Sequence, residues 1–596
     1  MSKYTALLGV LDQIRDEAPA NAKLYRPKAK DTELVNAARS RAYIHLYLKV
    51  KFGLLTFLER EKNITDGTDD GGVDGFYIDR DHHVVYFIQS KFRTTNKNFE
   101  EKQIALGELL SMEVKRIVDG KKTYADGKSF SGKILAMQKQ IGSIRDIGRY
   151  DYRVVLLANL DKADVPQHKL KKLVDGYQCD VIDHATAYND LLFPVVAGTY
   201  YNAPNLHIQI NLTNAAAGSA RVRYFVTTHF GKCEITLLFV PTSEIGRILY
   251  KYRNSILRYN PRSYLGLEGN SVNTEIRATV EELKTNEFAL FNNGITLLGD
   301  SAQFNESTGQ EGVAQVIVTN PQIINGGQTA YTLSQLYEDV QSGEVKSDVF
   351  EGKEVLIKII STNSDGSTSA DLGKLKGLIE QVSRATNSQT RIDDADRRSN
   401  DRIQLDLQRE FFDRYGLYYE RKLGEFYDGL KAEYIDSSLV IPRNTLVRVS
   451  LACDRRAAQA RSGIGKYFSE ETFSKGLLKL ENIAQYVYGL RCLWKLDEFE
   501  GRGRSRYKVL TYGQALRYGR LAVVSVCVNS TKATDDPKLV ENNVHTVLKK
   551  WPKFERYART RKQNAEYFGA EDGEANYPSY YKGRTLDVDL GKFFKL

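Results

Sequence analysis

The sequence predicts an α/β domain over residues 1–200, an α+β domain over 201–435 and a mainly α-helical region over 436–596. Three observations carry this prediction. The first 200 residues follow the order helix, hairpin, helix, strand, helix, strand. From about residue 201 strand patterns dominate, and from 436 helical patterns return. A chain of 596 residues is also too long for one hydrophobic core.

Composition and charge narrow the class of partner. The hydrophobic share of 42% and the charged share of 27% are ordinary for a globular protein. The net charge of +10 and the pI near 9 suit a partner that carries phosphates. No stretch of 18 apolar residues occurs, and acids stand where a signal peptide has its apolar core, so we expect no membrane partner and no secretory leader.

Five widely scattered cysteines include no CxxC pair: Cys179, Cys233, Cys453, Cys492 and Cys527. This spacing argues against a zinc site and against a disulfide framework. It fits a reducing compartment, and we therefore expect the protein to act in the cytoplasm.

Residues 31–61 are predicted to form one long helix. Asp31 is a suitable N-cap, and apolar residues from Ile44 to Leu58 recur at three- and four-residue spacing, which gives one apolar face. Two acids near its ends, Glu33 and Glu59, are either solvated surface residues or additional acids for the site described next.

A loop rich in glycine and aspartate, TDGTDDGGVDG, leads from this helix to the next strand. Its glycines permit a tight turn and its acids make an acidic approach to Asp74. Asp69 and Asp70 are either turn residues or outer-sphere partners of a metal ion.

Residues 73–93 are predicted to form a β-hairpin around a polar turn at 80–83. If the turn closes tightly, paired residue numbers sum to about 163, so Asp74 lies opposite Gln89. Because side chains alternate along a strand, Lys91 shares that face. The adjacent histidines, His82 and His83, point to opposite sides and are expected to be exposed turn residues.

A carboxylate, an amide and an ammonium group therefore meet at one end of an apolar face. Mg²⁺ or Mn²⁺ prefers such oxygen ligands, which Asp74, Gln89 and the carbonyl of Ser90 can supply. Lys91 can stabilise charge that develops on a phosphate or can orient the attacking water. The alternative is a hairpin with a solvated polar end.

The spacing of Asp74, fourteen intervening residues and Gln89-Ser90-Lys91 resembles the PD-(D/E)xK nuclease superfamily in its Mrr-like variant, where Gln replaces the second acid. This resemblance implies a restriction-endonuclease-like fold for residues 1–200. It also implies that Asp74, Gln89 and Lys91 are the catalytic residues. Gln89 lowers the negative charge at the metal relative to members that carry Glu there.

The elements after the hairpin complete the predicted α/β pattern. We expect a helix over 98–120 with a capping box formed by Asn98 and Glu101. The basic stretch 121–149 is either a phosphate contact or a solvated face. Strands follow over 151–159 and 179–183, and helices over 166–175 and 185–192.

Three strands, LHIQINL, RVRYFVTTHF and CEITLLFVP, open the central region, and a helix over 243–260 follows. That helix interleaves arginine and lysine with tyrosine. It therefore either holds a nucleic-acid backbone or is an amphipathic face whose long side chains cover apolar surface.

Several polar blocks then follow: FNNGIT, NPQIINGGQT, ATNSQ with DDADRRSND, and YYERK. Glycines ahead of a helix start in the second block can expose backbone N–H groups to an anion, although a glycine turn without a ligand is equally consistent. In sequence and order the blocks resemble the AIPR family, the abortive-infection phage-resistance proteins of bacteria. The resemblance implies a role in phage defence, and it singles out a candidate ligand pocket of Asn292, Asn293, Asn325, Gln328, Thr329, Arg384, Asn387, Gln389, Asp396 and Arg421.

The C-terminal region contains two basic stretches with interleaved aromatic residues, 500–520 and 549–562. Each is either a nucleic-acid contact or a solvated helix face. The last residues are expected to form an extended tail that packs on the body of the chain or on a second subunit, as in a homodimer, because their aromatic side chains would otherwise be exposed.

These features together predict a magnesium- or manganese-dependent endonuclease, a hydrolase acting on DNA in anti-phage defence and responding to a phage-derived trigger. Two alternatives remain open at this stage. One is a non-catalytic sensor or scaffold that binds nucleic acid, and the other is an RNase that uses the same site, because a phosphodiester site does not by itself select the sugar.

Overall fold

In the computed structural model the chain folds into two compact units, Met1–Ser383 with Gly424–Ser437, and Arg384–Leu423 with Ser438–Leu596. We call them unit 1 and unit 2. The structure describes every residue except 1, 81, 110, 161–166, 202–203, 214–220, 230, 259, 261–270, 283–284, 362–393, 474–475, 503–508 and 570–574.

A four-stranded sheet forms the first part of unit 1, in the order β1-β2-β3-β4. Its strands are β1 (Gly75–Asp79), β2 (Val84–Ser90), β3 (Asp151–Leu157) and β4 (Gln178–Ile182). The first pair is antiparallel and the other two pairs are parallel. Gly75 pairs with Ile88 and Phe76 with Phe87, which confirms the predicted hairpin register.

The helices of this part of the chain are α1 (Lys3–Asp16), α2 (Thr32–Phe52), α3 (Phe57–Glu61), α4 (Asn96–Glu100), α5 (Val114–Val118), α6 (Gly132–Gly142), α7 (Gln167–Leu173), α8 (His184–Ala187) and α9 (Phe193–Ala197). A π-helix, Tyr188–Leu192, joins the last two. One hydrophobic core unites the inner face of the sheet, including Phe76, Val85 and Phe87, with apolar residues of α5 and α6.

Two helices predicted in the first 200 residues differ from the structure. The helix over 31–61 is interrupted after Phe52, because Gly53 ends α2 in a left-handed conformation with φ +66°. The predicted helix over 98–120 is wrong: α4 ends at Glu100, and only a 3₁₀ turn precedes α5. Its N-cap is Thr95, whose hydroxyl accepts the Asn98 N–H at 3.2 Å, and not Asn98.

The second part of unit 1 contains a three-stranded sheet, β5-β10-β9, and a five-stranded sheet, β11-β8-β12-β7-β6. The strands are β5 (Asn205–Asn211), β6 (Val222–Thr228), β7 (Gly231–Pro241), β8 (Ile295–Gly299), β9 (Ala302–Asn305), β10 (Val313–Thr319), β11 (Gln322–Asn325) and β12 (Glu354–Ser361). The three strands predicted between 206 and 241 are therefore confirmed.

Among the described residues, the helices that accompany these sheets are α10 (Thr242–Tyr252), α11 (Ser271–Glu281), α12 (Phe288–Phe291), α13 (Gly327–Ser342) and, later in the chain, α16 (Tyr427–Lys431). A single hydrophobic core joins both sheets to α10 and α13. Residues 288–291 form α12, and the strand that follows begins at Ile295.

Unit 2 is mainly helical, as predicted for the C-terminal region. Its helices are α14 (Asp394–Arg397), α15 (Arg402–Tyr415), α17 (Arg443–Cys453), α18 (Ala457–Ala460), α19 (Glu470–Phe473), α20 (Ile483–Arg502), α21 (Arg520–Ser530), α22 (Pro537–Thr560), α23 (Ala565–Phe568), α24 (Tyr577–Tyr580) and α25 (Thr585–Phe594). One two-stranded parallel sheet joins β13 (Tyr418–Glu420) to β14 (Val440–Pro442).

The C-terminal segment is helical, not extended as predicted, and it packs on unit 2. Trp551 Nε1 donates to the Tyr581 hydroxyl at 2.8 Å, and that hydroxyl donates to Glu555 Oε1 at 2.7 Å. The Phe594 ring lies against Trp551. This contact explains how the aromatic residues of the C-terminal segment are kept from solvent.

All five cysteines are free thiols, in agreement with the sequence-based expectation of no disulfide framework. Among the helices that the structure describes, none combines the length and the apolar character that a membrane crossing requires.

Candidate metal centre

The hairpin register brings Asp74 to the edge of β2, as predicted. The Asp74 N–H donates to the Ile88 carbonyl at 2.8 Å, which extends the ladder by one residue beyond β1. Asp74 Oδ2 accepts the Ser90 N–H at 2.6 Å. The strand thus fixes the Asp74 carboxylate next to the Gln89-Ser90-Lys91 segment.

Three carboxylates converge at this position. Asp66, Asp70 and Asp74 each offer an oxygen, and these atoms all lie within 4.8 Å of one another. In the part of the chain that the structure describes, no other group of three or more acidic, histidine or cysteine side chains is this compact. We call this group the carboxylate cluster.

The loop between Asp66 and Asp74 is folded by glycine and by its own hydrogen bonds. Asp70 accepts the N–H groups of Gly67 at 3.1 Å and Gly72 at 2.9 Å. Gly72 has φ +73°, and a Cβ there would lie 2.8 Å from the Ser111 carbonyl oxygen. A side chain at this position would therefore strain the backbone and displace Asp70 from the cluster.

Burial and mutual repulsion disfavour the ionised forms of the acids in the cluster. The pKa of Asp74 is raised to about 7, chiefly by burial and also by the neighbouring charges of Asp66 and Asp70, against the lowering effects of the Ser90 N–H and the Lys91 ammonium. Burial also raises the pKa of Asp70 above its usual value. A bound cation would favour the ionised form of both groups.

Gln89 lies beside the carboxylate cluster, and its side chain holds the loop between Asp66 and Asp74 in place. Its side chain is only 4% exposed, and Nε2 donates to the Gly72 carbonyl at 2.9 Å. Because the Gly72 N–H in turn holds Asp70, Gln89 fixes the backbone that presents Asp70. Its predicted role as a metal ligand stays a prediction, as does that of the Ser90 carbonyl.

Lys91 is exposed at the end of β2, and its backbone N–H donates to the Leu157 carbonyl at 3.0 Å. Its charge is close enough to lower the pKa of Asp74. The cluster therefore has one exposed cationic side chain, that of Lys91, beside it.

Two cations hold the acids of the loop. Arg41 of α2 pairs with Asp66, with 2.7 Å between Nε and Oδ2. Lys128 pairs with Asp69, which has a left-handed backbone conformation with φ +61° and is not one of the three converging acids. Of the two aspartates predicted as outer-sphere partners, the structure brings Asp70 into the cluster and leaves Asp69 outside it.

Glu33 and Glu59 were considered as additional acids, and the structure supports the surface interpretation. Glu33 is exposed in the first turn of α2. Glu59 forms a capping box with Thr56 at the start of α3. His82 and His83 are half-exposed in the hairpin turn, as expected, with the His82 ring 2.8 Å from Asp79.

A second set of predicted residues gathers at the start of α13 in unit 1. Asn292 Nδ2 donates to the Thr329 hydroxyl at 3.0 Å, and Asn292 Oδ1 accepts the Gly294 N–H at 2.9 Å. Asn325 Oδ1 accepts the Gly326 N–H at 2.7 Å. The FNNGIT and NGGQT blocks are thus joined by direct contacts.

The glycines make this junction possible. Gly326 has φ +81°, and a Cβ there would lie 2.7 Å from the Gly294 carbonyl oxygen. Helix α13 begins without a side-chain cap at this point. Asn293 is exposed, and Gln328 is half-buried in the first turn of α13.

In unit 2 the predicted residues Asp396 and Arg421 are buried in a hydrogen-bonded network. Arg443 pairs with Asp396 at 2.6 Å. Arg421 donates from Nε to Gln408 Oε1 at 2.9 Å, and from Nη1 to Asn400 Oδ1 at 2.9 Å. These contacts join β13 to α15. The other predicted residues, Arg384, Asn387 and Gln389, lie outside the described residues.

A comparison with known protein families finds a match in the region that contains the FNNGIT, NGGQT and YYERK blocks. The model of the family described as AIPR protein matches residues 257–500. The match supports the AIPR resemblance. It covers the junction at α13 and the Arg421 network but not the carboxylate cluster. No curated protein and no solved structure matches the chain significantly.

The basic helix just upstream of the AIPR match is explained by internal pairing. Arg247 pairs with Glu244 at 2.8 Å, and Arg253 lies 3.6 Å from Asp428. Arg253 also covers the Tyr250 ring. These contacts favour the interpretation of the predicted helix over 243–260 as an amphipathic face of unit 1.

Sequence reasoning missed Asp66 as a member of the cluster. The signal was present, because Asp66, Asp70 and Asp74 recur every fourth residue in a loop rich in glycine. That spacing has no meaning for a regular strand. It brings the acids together only because Asp69, Gly71 and Gly72 all adopt positive φ and curl the loop back on itself.

Proposed function

We propose that this protein is a metal-dependent phosphodiesterase that cleaves DNA. The observation that carries the proposal is the carboxylate cluster, in which three acids converge beside the Gln89-Ser90-Lys91 segment of a β-hairpin. Three acids held this closely repel one another, and the ion pair of Arg41 with Asp66 offsets that cost only in part. A hard divalent cation provides further positive charge.

The chemistry of the donor set fits Mg²⁺ or Mn²⁺. Both ions prefer oxygen ligands, and Mg²⁺ usually takes one or two carboxylates together with waters and substrate phosphates. Asp66, Asp70 and Asp74 would hold the ion. When bound, it supplies Lewis-acid stabilisation of the charge that develops on a phosphodiester.

The chain's own residues have distinct roles in this proposal. Asp74 is fixed by the Ser90 N–H, and Asp70 by the Gly67 and Gly72 N–H groups. Gln89 positions Asp70 through Gly72. The Lys91 ammonium stabilises negative charge on the phosphoryl oxygens and orients the attacking water.

We further propose that the reaction serves anti-phage defence by abortive infection. The support is the AIPR match over residues 257–500. In this proposal the nuclease-like part of the chain supplies cleavage, and the AIPR region recognises a phage-derived trigger.

A cleavage assay with the purified full-length chain tests the proposal. Supercoiled plasmid DNA and end-labelled RNA are each incubated with Mg²⁺ or Mn²⁺, and chelator is added to parallel samples. We expect DNA cleavage that requires the metal and that Asp74→Asn and Lys91→Ala abolish. Asp180→Asn is the matched control, because Asp180 is an exposed acid on β4 of the same sheet.

The assay also separates the alternatives. Cleavage of RNA alone would replace the DNA substrate with RNA while retaining the site. Binding of nucleic acid that depends on salt, with no metal-dependent cleavage of either substrate, would contradict the enzymatic proposal and favour a non-catalytic sensor. Cleavage unchanged in Asp74→Asn would show that the carboxylate cluster is not the active site.

A further inference from the structure

The second half of helix α22 in unit 2 carries a line of exposed cations. Lys549, Lys553 and Arg556 follow one another at spacings of four and three residues, so they lie on the same helix face. We call these three residues the α22 stripe. The opposite face, which includes Val547, Trp551 and Phe554, is buried in the core of unit 2.

Neither acid of α22 neutralises the α22 stripe. Glu541 lies 3.6 Å from Lys495 of α20. Glu555 is 6% exposed and accepts the Tyr581 hydroxyl at 2.7 Å and the Gln514 N–H at 2.8 Å. In the described part of unit 2 we find no carboxylate within 4 Å of the amino or guanidinium groups of the α22 stripe.

Helix α15 of the same unit shows what a neutralised basic face looks like. Its three exposed arginines each have an acid one turn away on the same helix. The pairs are Arg402 with Asp406, Arg409 with Asp413, and Arg414 with Glu410, at 3.5, 3.4 and 3.6 Å. Such pairs are typical of a helix face that only meets water. The α22 stripe lacks them.

We propose that the α22 stripe binds the phosphodiester backbone of a nucleic acid. A helix rises about 1.5 Å per residue, so the three cations span roughly 10 Å, a length over which one strand of a duplex presents several phosphates. Lys550 and Arg559 add exposed charge on either side of the α22 stripe. This surface lies outside the AIPR match and does not depend on the carboxylate cluster.

The same observations disfavour an acidic lipid surface as the partner. A helix that binds a membrane buries its apolar face among the lipids. The apolar face of α22 is already occupied by the core of unit 2, where Trp551 and Phe554 contact Phe594. A partner on the exposed face therefore meets charge without an inserting apolar side chain.

Fluorescence anisotropy with the full-length chain tests this proposal. The probes are 30-nucleotide single-stranded DNA, the corresponding duplex and single-stranded RNA, all in chelator so that no cleavage occurs. The variant Lys549→Gln, Lys553→Gln, Arg556→Gln is compared with the control Arg402→Gln, Arg409→Gln, Arg414→Gln. Both triple variants lower the net charge by three.

We expect the α22 triple variant to bind about tenfold more weakly at low salt. We also expect the slope of log affinity against log salt to fall by about 3, because each lost phosphate contact changes it by roughly 0.9. The control triple variant should retain the wild-type slope. A melting curve by circular dichroism shows that each variant is folded.

Three outcomes would overturn the proposal. The first is an equal loss of affinity in both triple variants, which would reflect net charge alone. The second is an unchanged salt slope in a folded α22 variant. The third is binding of vesicles of anionic phospholipid, lost in the α22 variant, without binding of any nucleic-acid probe.

Discussion

The carboxylate cluster of unit 1 and the Arg421 network of unit 2 both bury charged side chains, but the two differ in how far those charges are compensated by neighbouring groups. In unit 2, Asp396 pairs with Arg443. Arg421 donates to two uncharged oxygens, those of Gln408 in α15 and of Asn400 just before α15. In unit 1, Asp74 faces two further acids, and its pKa is raised to about 7. A compensated network stabilises a fold, whereas an excess of like charge is typical of a site that awaits a ligand.

This difference also separates the two sets of residues that the sequence predicted to form functional sites. Asp396 and Arg421 were predicted to contact a ligand; Asp396 pairs with Arg443, Arg421 donates to Gln408, and their role toward a ligand stays a prediction. Asp74 was predicted to hold a metal ion, and it lies where acids converge.

Breaking the compensated network should cost the most stability. In Arg443→Met the Asp396 carboxylate stays buried but loses the Arg443 guanidinium, which is expected to cost about 3–5 kcal/mol. Urea unfolding followed by hydrogen exchange at β13 and β14 measures the loss in unit 2. The control is Arg409→Met, whose exposed i,i+4 pair on α15 is worth only about 0.3–0.5 kcal/mol. Similar losses in both variants would contradict the contrast.

Removing a negative charge from the carboxylate cluster, which the ion pair of Arg41 with Asp66 offsets only in part, should instead stabilise the metal-free protein. The pKa of Asp74 is higher in the folded chain, about 7, than its ordinary value of 3.8. Between these values the folded state holds a proton that the unfolded state releases, so stability falls as pH rises from about 4 to 7. Asp74→Asn removes this loss and is expected to gain about 2 kcal/mol at pH 8.

Hydrogen exchange at β1 and β2 in chelator, at pH values from 4 to 8, measures this effect. Asp74→Asn and wild type should be equally stable near pH 4 and diverge above it. At pH 8 with Mn²⁺ present, wild type should be more stable than Asp74→Asn, because the Asp74 carboxylate binds the ion better than the asparagine amide does. A variant that is less stable than wild type throughout would show that Asp74 is a compensated structural residue.

A smaller effect is expected at Arg41, which orients Asp66 from outside the cluster. Side chains that hold a ligating carboxylate typically change metal affinity by about 10- to 100-fold, and we expect Arg41→Gln to lie near the lower value. Isothermal titration with Mn²⁺ measures it. Arg39→Gln is the control, because Arg39 is on the same helix and pairs with Asp12 at 2.6 Å. Tighter binding in Arg41→Gln would mean that Arg41 competes with the ion.

Much of the hairpin was predictable because its signals are local. Alternating apolar residues and a short polar turn determine the register, and the register determines which residue faces Asp74. The four-stranded sheet was also predictable as far as its buried strands and their helices are concerned. The prediction of one helix over residues 98–120 failed because their apolar spacing resembles that of a helix, whereas the chain there makes short turns against the core.

The site was less predictable because it depends on backbone conformation and on distant partners. Asp66 joins the cluster through a loop with several positive φ angles, and no periodic sequence pattern predicts such a loop conformation. Arg421 appeared to be a ligand-binding residue because it lies in a polar block. Its partners Gln408 and Asn400 come from segments that are 13 and 21 residues away in the sequence.

The most direct test of the central claim is a titration of the purified, chelator-treated chain with Mn²⁺, followed by electron paramagnetic resonance of the free ion. We expect one ion to bind to wild type and to Asp180→Asn. Asp66→Asn, Asp70→Asn and Asp74→Asn should each bind at least about 100-fold more weakly, because each removes one of only three carboxylates. Wild-type protein that binds no Mn²⁺ at pH 8, or variants that bind it as tightly as wild type, would contradict the account.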